Sequence, residues 1–163
     1  MKNKKITMGL TALVLMGTMV LPVSAEEKSD TTRIKANVKS TYTLTIPAET
    51  TVNFEATSTD LNGALKVKGN VLSTQEVVVN ATANDFHNTS QNKDLPYKLV
   101  NKAEGKEFSI ATWDEDILRA GLSDGQGKEI LLSVDITDDN WNKAEAGDYE
   151  GSITFIANLM NKQ

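Results

Sequence analysis

Between Ala146 and Leu159 the chain reads Ala-Gly-Asp-Tyr-Glu-Gly-Ser-Ile-Thr-Phe-Ile-Ala-Asn-Leu. Tyr149, Gly151, Ile153, Phe155, Ala157 and Leu159 fall on alternate positions, while Ser152, Thr154 and Asn158 take the other register, broken only by Ile156. Successive side chains of a strand leave opposite faces, so this segment offers one apolar face and one largely polar face. Such a strand needs a sheet and a second layer to cover it. The Glu145-Ala-Gly-Asp148 stretch before it is a turn that can launch it.

The rest of the chain supplies candidates for that second layer. Ile34, Ala36 and Val38 alternate with Arg33, Lys35, Asn37 and Lys39, which predicts a first strand with a basic outer face. Tyr42, Leu44 and Ile46 predict a second strand, ended by Pro47, and Val52 with Phe54 a short third. Thr57 to Gly63 reads as a loop with Asn62-Gly63 as its turn, followed by alternation at Leu65 and Val67. Gln75 to Ala83 is β-branched enough for a central strand, and Asn84 to Lys93 is polar enough for a loop. Tyr97 to Val100 and Phe108 to Ala111 are short strands, and Glu129 to Ile136 alternates strictly. Thr112-Trp-Asp-Glu115 has the spacing of a capping box and predicts two turns of helix ending at Gly121, whereas Asp138 to Gly147 reads as an acidic loop around Trp141. Many short strands at this spacing, with no long helices between them, predict an all-β antiparallel sandwich of about seven to nine strands with one short helix.

Met1 to Ala25 has the make-up of an export signal: Lys2, Lys4 and Lys5, then the apolar run Ile6 to Leu21, then Val23-Ser-Ala25 before Glu26-Glu27. An uncleaved anchor fits less well, because Gly9, Thr11, Gly17 and Thr18 weaken the run and Pro22 closes it. The expected organisation is therefore a signal peptide over 1–25, a flexible leader over 26–32 and a sandwich domain over 33–163. With no cysteine after Ala25 and no sorting tail at Asn161-Lys-Gln163, the expected product is secreted, extracellular or cell-surface associated, with no membrane insertion after cleavage. Without the signal's three lysines, 14 basic residues face 22 acidic ones, a balance of −8 that argues against nucleic acid and anionic lipid.

Chemistry-bearing residues are few. The chain has no cysteine, which excludes thiolate metal sites and cysteine nucleophiles. His87 is the single histidine and has no partner of its kind for zinc; it reads as a loop residue. Asp114, Glu115 and Asp116 crowd together, as do Asp135, Asp138, Asp139 and Asp148, but neither cluster has the spacing of a twelve-residue calcium loop or marks a glycosidase cleft. Solvated acids are the expected reading, and no cofactor, catalytic residue or metal ligand is assigned. Asn80-Ala-Thr82 and Asn88-Thr-Ser90 match the glycosylation pattern and are read as chance in a bacterial chain. Trp113 and Trp141 are the candidate ligand-contact residues, since aromatic faces stack on sugars, against the alternative that one of them is core.

Two segments together resemble a family. Tyr42-Thr-Leu-Thr-Ile-Pro-Ala48, running on through Leu65-Lys-Val-Lys-Gly69 to Glu76-Val-Val-Val79, is similar to the opening of a secreted surface domain common in Gram-positive bacteria. Such domains begin with a Tyr-x-Val-x-Ile-Pro strand and close with Ala-Gly-x-Tyr/Trp-x-Gly-x-hydrophobic-x-Phe, which Ala146 to Phe155 resembles. The closing pattern is also similar to the last strand of some immunoglobulin-like fimbrial subunits. The resemblance implies an immunoglobulin-like sandwich on an envelope or in an extracellular matrix and carries over no catalytic residue. A wall-sorting signal and a Trp-x-Leu motif are absent from this sequence.

The expectation is an exported, non-catalytic bacterial surface or matrix protein, adhesive or structural, with protein partners or self-assembly. In one form of it Ile34, Ala36 and Val38 add to a neighbour's sheet edge. The alternative is a soluble carbohydrate-binding module whose glycan meets Trp113 or Trp141.

Overall fold

A computed structural model describes residues 31–123 and 125–163. The signal segment 1–25 and the leader to residue 30 lie outside the described residues. Asn37–Gln163 form one compact unit. Thr31 to Ala36 take no helix or strand and are exposed.

The compact unit is an all-β antiparallel sandwich. Its strands are β1 (Thr41–Thr45), β2 (Ser58–Asn70), β3 (Gln75–Asn88), β4 (Lys93–Leu95), β5 (Lys98–Asn101), β6 (Lys106–Glu107), β7 (Ile110–Asp114), β8 (Glu129–Asp135) and β9 (Glu150–Asn161), with helices α1 (Glu115–Ala120) and α2 (Asp138–Lys143). One sheet has the order β1-β2-β8-β5-β6. In the other, β3 is central, with β9 on one edge and β7 and β4 on the opposite edge.

The alternation read from Ala146 to Leu159 becomes β9. Ile153, Phe155, Ala157 and Leu159 are half-buried against the core, while the residues between them face out. β9 runs antiparallel along most of β3, with Val77 opposite Leu159 and Ala81 opposite Phe155. The core between the sheets combines Leu65, Val67, Leu99, Ile130 and Leu132 from one with Val77, Val79 and Trp113 from the other. Burying that many branched and aromatic side chains supplies the main driving force for closing the sandwich.

Several expectations are corrected. Ile34 to Val38 forms no strand: Ile34 is 90% and Val38 73% exposed, because no described strand edge receives them. Val52 and Phe54 also lie outside any strand. The predicted loop at Thr57 to Gly63 is the first half of β2, and Asn62-Gly63 marks a register shift between Asp60 and Ala64, with Gly63 at φ 102°. β3 continues to Asn88 through the predicted polar loop, since β4 and β9 satisfy its edges there. The expected single helix is joined by a second: Thr137 Oγ1 accepts from Asn140 N at 3.2 Å and starts α2. Helix α1 is capped by Asp114, whose carboxylate accepts from Ile117 N at 2.9 Å, because Thr112 is held in β7 opposite Val78.

Candidate docking groove

Pro47 has no N–H to donate, so the chain leaves the sheet after β1 and runs as an irregular wall from Ile46 to Phe54. That wall is fastened to the irregular part of β2. Ala48 N donates to Asn62 O at 2.7 Å, and Thr50 Oγ1 accepts from Asn62 N at 2.9 Å. Farther along, Trp141 Nε1 donates to Ala56 O at 3.0 Å, and Phe54 stands edge-on to the Trp141 ring with centroids 5.6 Å apart. Phe54 remains 76% exposed.

The opposite wall is the α2–β9 connection and the first half of β9. Tyr149 folds back to donate its hydroxyl to Glu145 O at 3.1 Å. Gly151 lies so close to Phe86 that a Cβ there would sit 2.9 Å from the ring. Phe86 packs on Tyr97 at 4.9 Å between centroids, and Tyr97 donates its hydroxyl to Ser152 O at 3.2 Å. Burial, with a smaller contribution from nearby Asp85, pushes the Tyr97 phenol above its ordinary value, so it stays a neutral donor.

Between these walls lies a groove in two adjoining parts, of about 220 and 960 Å³, which share Glu49, Thr50, Val52, Phe86 and Gly151. Its floor includes Leu61, Leu95, Val134 and Ile136. Among the described residues, no backbone hydrogen bond joins 46–54 to β9, and β9 pairs only with β3. Every second N–H and C=O of β9 therefore faces away from its sheet. Toward its C-terminal half that side is met by Tyr42, whose hydroxyl donates to Ala157 O at 3.0 Å from across the sandwich. In the half bordering the groove, the corresponding bond is the one from Tyr97 to Ser152 O. The rim carries Glu49, Asp148 and Glu150, none of them in an ion pair among the described residues, while Glu145 is taken by Lys93 at 3.2 Å.

The structure separates the two candidate tryptophans. Trp113 is fully buried, with Nε1 donating to Lys128 O at 3.3 Å and the Lys128 ammonium 4.9 Å from its ring centroid, so it cannot contact a ligand. Trp141 is half-buried and lines the groove. Phe54 and Phe86, which the sequence reading did not assign to any site, line it too.

Several of the remaining chemistry-bearing residues have structural partners. His87 is in β3, not a loop, with Nδ1 2.7 Å from Asp94 Oδ1 on β4. Asp135 accepts from the hydroxyls of Ser58 and Ser133 at 2.6 and 2.9 Å. The hydrogen bond from Lys162 holds the Glu115 carboxyl below the usual range and raises the Lys162 ammonium above its own. Among the described residues no group of three or more histidines and acids could hold a metal ion, and no described helix is long and apolar enough to cross a membrane.

Ile34, Ala36 and Val38 lie outside the groove's lining. The chain is fixed just after them, where Ser40 Oγ donates to Gln75 Oε1 at 2.8 Å. No protein-family model matches the sequence, and no characterised protein matches it.

Proposed function

We propose that this is an exported, non-catalytic bacterial surface or extracellular-matrix protein that acts structurally or adhesively as a subunit of a larger assembly. The observation that carries this reading is β9: twelve residues of strand that, among the described residues, has a strand partner on one edge only. A long exposed edge templates pairing with another chain, and proteins that do not use such an edge usually cover or shorten it. The export signal in the sequence and the immunoglobulin-like resemblance agree with it.

The test is to express the full chain with a small tag in a Gram-positive host, then fractionate wall, matrix and medium under non-denaturing conditions. The expected result is protein outside the cell in species larger than one chain. Retention in the cytoplasm, or a monomer free in the medium, refutes the proposal. A second reading, a carbohydrate-binding module, is favoured by the exposed Phe54 against Trp141 in the groove. It predicts glycan-array binding that disappears in Trp141→Ala while the fold persists.

A further inference from the structure

Resting on the carbohydrate reading, we infer that the groove between Ile46–Phe54 and the first half of β9 takes a cationic glycan, a chain of amino sugars whose nitrogens are free ammonium groups and not acetylated. Its rings, its charges and the state of its main chain all select that ligand.

The rings come first. Phe54 and Trp141 meet at 78° with centroids 5.6 Å apart, so they form a corner and not a flat platform. Tyr149 lines the same part of the groove, and Phe54 stays largely in water beside an apolar floor at Leu95 and Ile136. A sugar ring has an apolar C–H face and a polar rim, so it covers ring surface here while its hydroxyls stay wet. At about 960 Å³ this part of the groove has the size of a small-ligand site. Charge narrows the choice. Four carboxylates line it, Glu49, Glu145, Asp148 and Glu150, and no lysine, arginine or histidine does. Lys93 reaches Glu145 at 3.2 Å, and the other three have no ion pair among the described residues. Carboxylates beside low-dielectric walls concentrate cations, and an ammonium that lies near an aromatic face is held by the ring as well. A neutral sugar leaves these charges unused, and an anionic one is repelled.

The main chain decides between a cationic sugar and a basic peptide. An extended peptide is held by backbone hydrogen bonds along a free strand edge. In this groove Tyr97 already donates to Ser152 O, and Ala48 N is bonded to Asn62 O. Glu145 O and Ala146 O accept from the Tyr149 hydroxyl and the Gln91 amide. What the walls still offer is aromatic surface and carboxylates. Those groups fit a saccharide that carries ammonium groups and has no backbone to pair.

The experiment uses the full chain recovered after export from a bacterial host. It is titrated with a tetramer of glucosamine, with the same tetramer fully N-acetylated, and with tetralysine, and binding is read by calorimetry and tryptophan emission. The glucosamine tetramer should shift the emission of Trp141 and bind about tenfold more tightly than its acetylated counterpart. Two variants follow, Phe54→Ala and the combination Glu49→Gln, Asp148→Asn and Glu150→Gln; all four residues are exposed, and circular dichroism checks that both variants fold. Phe54→Ala should weaken the glucosamine tetramer about tenfold. The carboxamide variant should bring it down to the affinity of the acetylated tetramer, and added salt should act in the same direction. Equal binding of the two tetramers, both weakened by Phe54→Ala, overturns the inference and leaves the carbohydrate reading standing. Full affinity for the glucosamine tetramer in the carboxamide variant overturns the inference as well. So does tetralysine that binds as tightly as the glucosamine tetramer, since charge alone then suffices. If neither tetramer binds, the inference falls, and the glycan array decides the carbohydrate reading separately.

Discussion

Replacing Trp113 tests whether the division of labour between the two tryptophans is real. Its side chain is fully enclosed by the core, its indole N–H is spent on Lys128 O, and the Lys128 ammonium lies over its ring. A buried tryptophan removes about 200 Å² from water, worth about 5 kcal/mol at 25 cal/mol per Å² as an upper figure, and truncations of this kind cost about 3–5 kcal/mol. The compact unit spans Asn37–Gln163. At about 2.1 cal/mol/K per residue its unfolding entropy is about 0.27 kcal/mol/K, so a loss of about 4 kcal/mol lowers Tm by about 15 °C. Trp141→Ala removes a half-buried ring and one hydrogen bond, for which about 1–2 kcal/mol and a drop of about 4–7 °C are expected. Thermal unfolding followed by far-ultraviolet circular dichroism measures both, and iodide should quench Trp141 while sparing Trp113. A Trp113→Ala protein that melts within about 3 °C of the unaltered chain would refute the core assignment and return Trp113 to the list of ligand contacts.

Three further perturbations probe other joints of the structure. In Gly69→Ala the new Cβ would lie 2.4 Å from Thr41 O and 2.8 Å from Tyr42 Cα, so β1 must shift off β2; a cost of about 1–3 kcal/mol and faster amide exchange in β1 are expected, read by urea unfolding and hydrogen exchange. Asp114→Ala should cost about 1 kcal/mol in the same unfolding assay, whereas Thr112→Val should stay within about 0.5 kcal/mol, the reverse of what a capping box at Thr112 requires. The Glu115–Lys162 pair tethers the end of β9 to α1. Because the Glu115 pKa is lowered in the fold, its contribution is full above the unfolded carboxyl's value near 4.5 and is lost as pH falls through the lower folded value. The Lys162 pKa is raised, so its share is full below about 10.5 and is lost as pH rises through the higher folded value. Lys162→Met should therefore flatten the acid limb of a Tm-against-pH curve, and an unchanged limb would show that the pair contributes nothing.

Local pattern made some elements legible and left others hidden, for reasons that differ residue by residue. The alternation of Ile153 to Leu159 and the β-branched run at Val77 to Val79 announce β9 and the centre of β3, because half-burial writes itself directly into a period of two. Ile34, Ala36 and Val38 carry the same signal and form nothing within the described chain. Periodicity reports that a segment could pair, and pairing also needs an edge within reach. The capping of α1 was misplaced because two competent caps, Thr112 and Asp114, stand two residues apart, and the choice was made by β7 claiming Thr112 for a sheet opposite Val78. Helix α2 was hidden by its acids, which read as a solvated loop although Asp138 and Asp139 sit in the first turn, where the helix dipole favours them.

The groove was illegible for a more general reason. Its walls, Ile46 to Phe54 and Ala144 to Phe155, lie about a hundred residues apart, and although the second carries the start of the β9 alternation, the first shows no period to pair with it. What brings them together is the sandwich itself: β1 and β9 are edge strands of opposite sheets, and Pro47 turns the chain away before β1 can extend alongside the first half of β9. Tyr42 reaches Ala157 O from across the sandwich, and toward Gly151 the groove is bounded by Phe86 and by Tyr97 at Ser152 O. The proline that ends β1 thus also leaves a groove along part of one side of the sandwich.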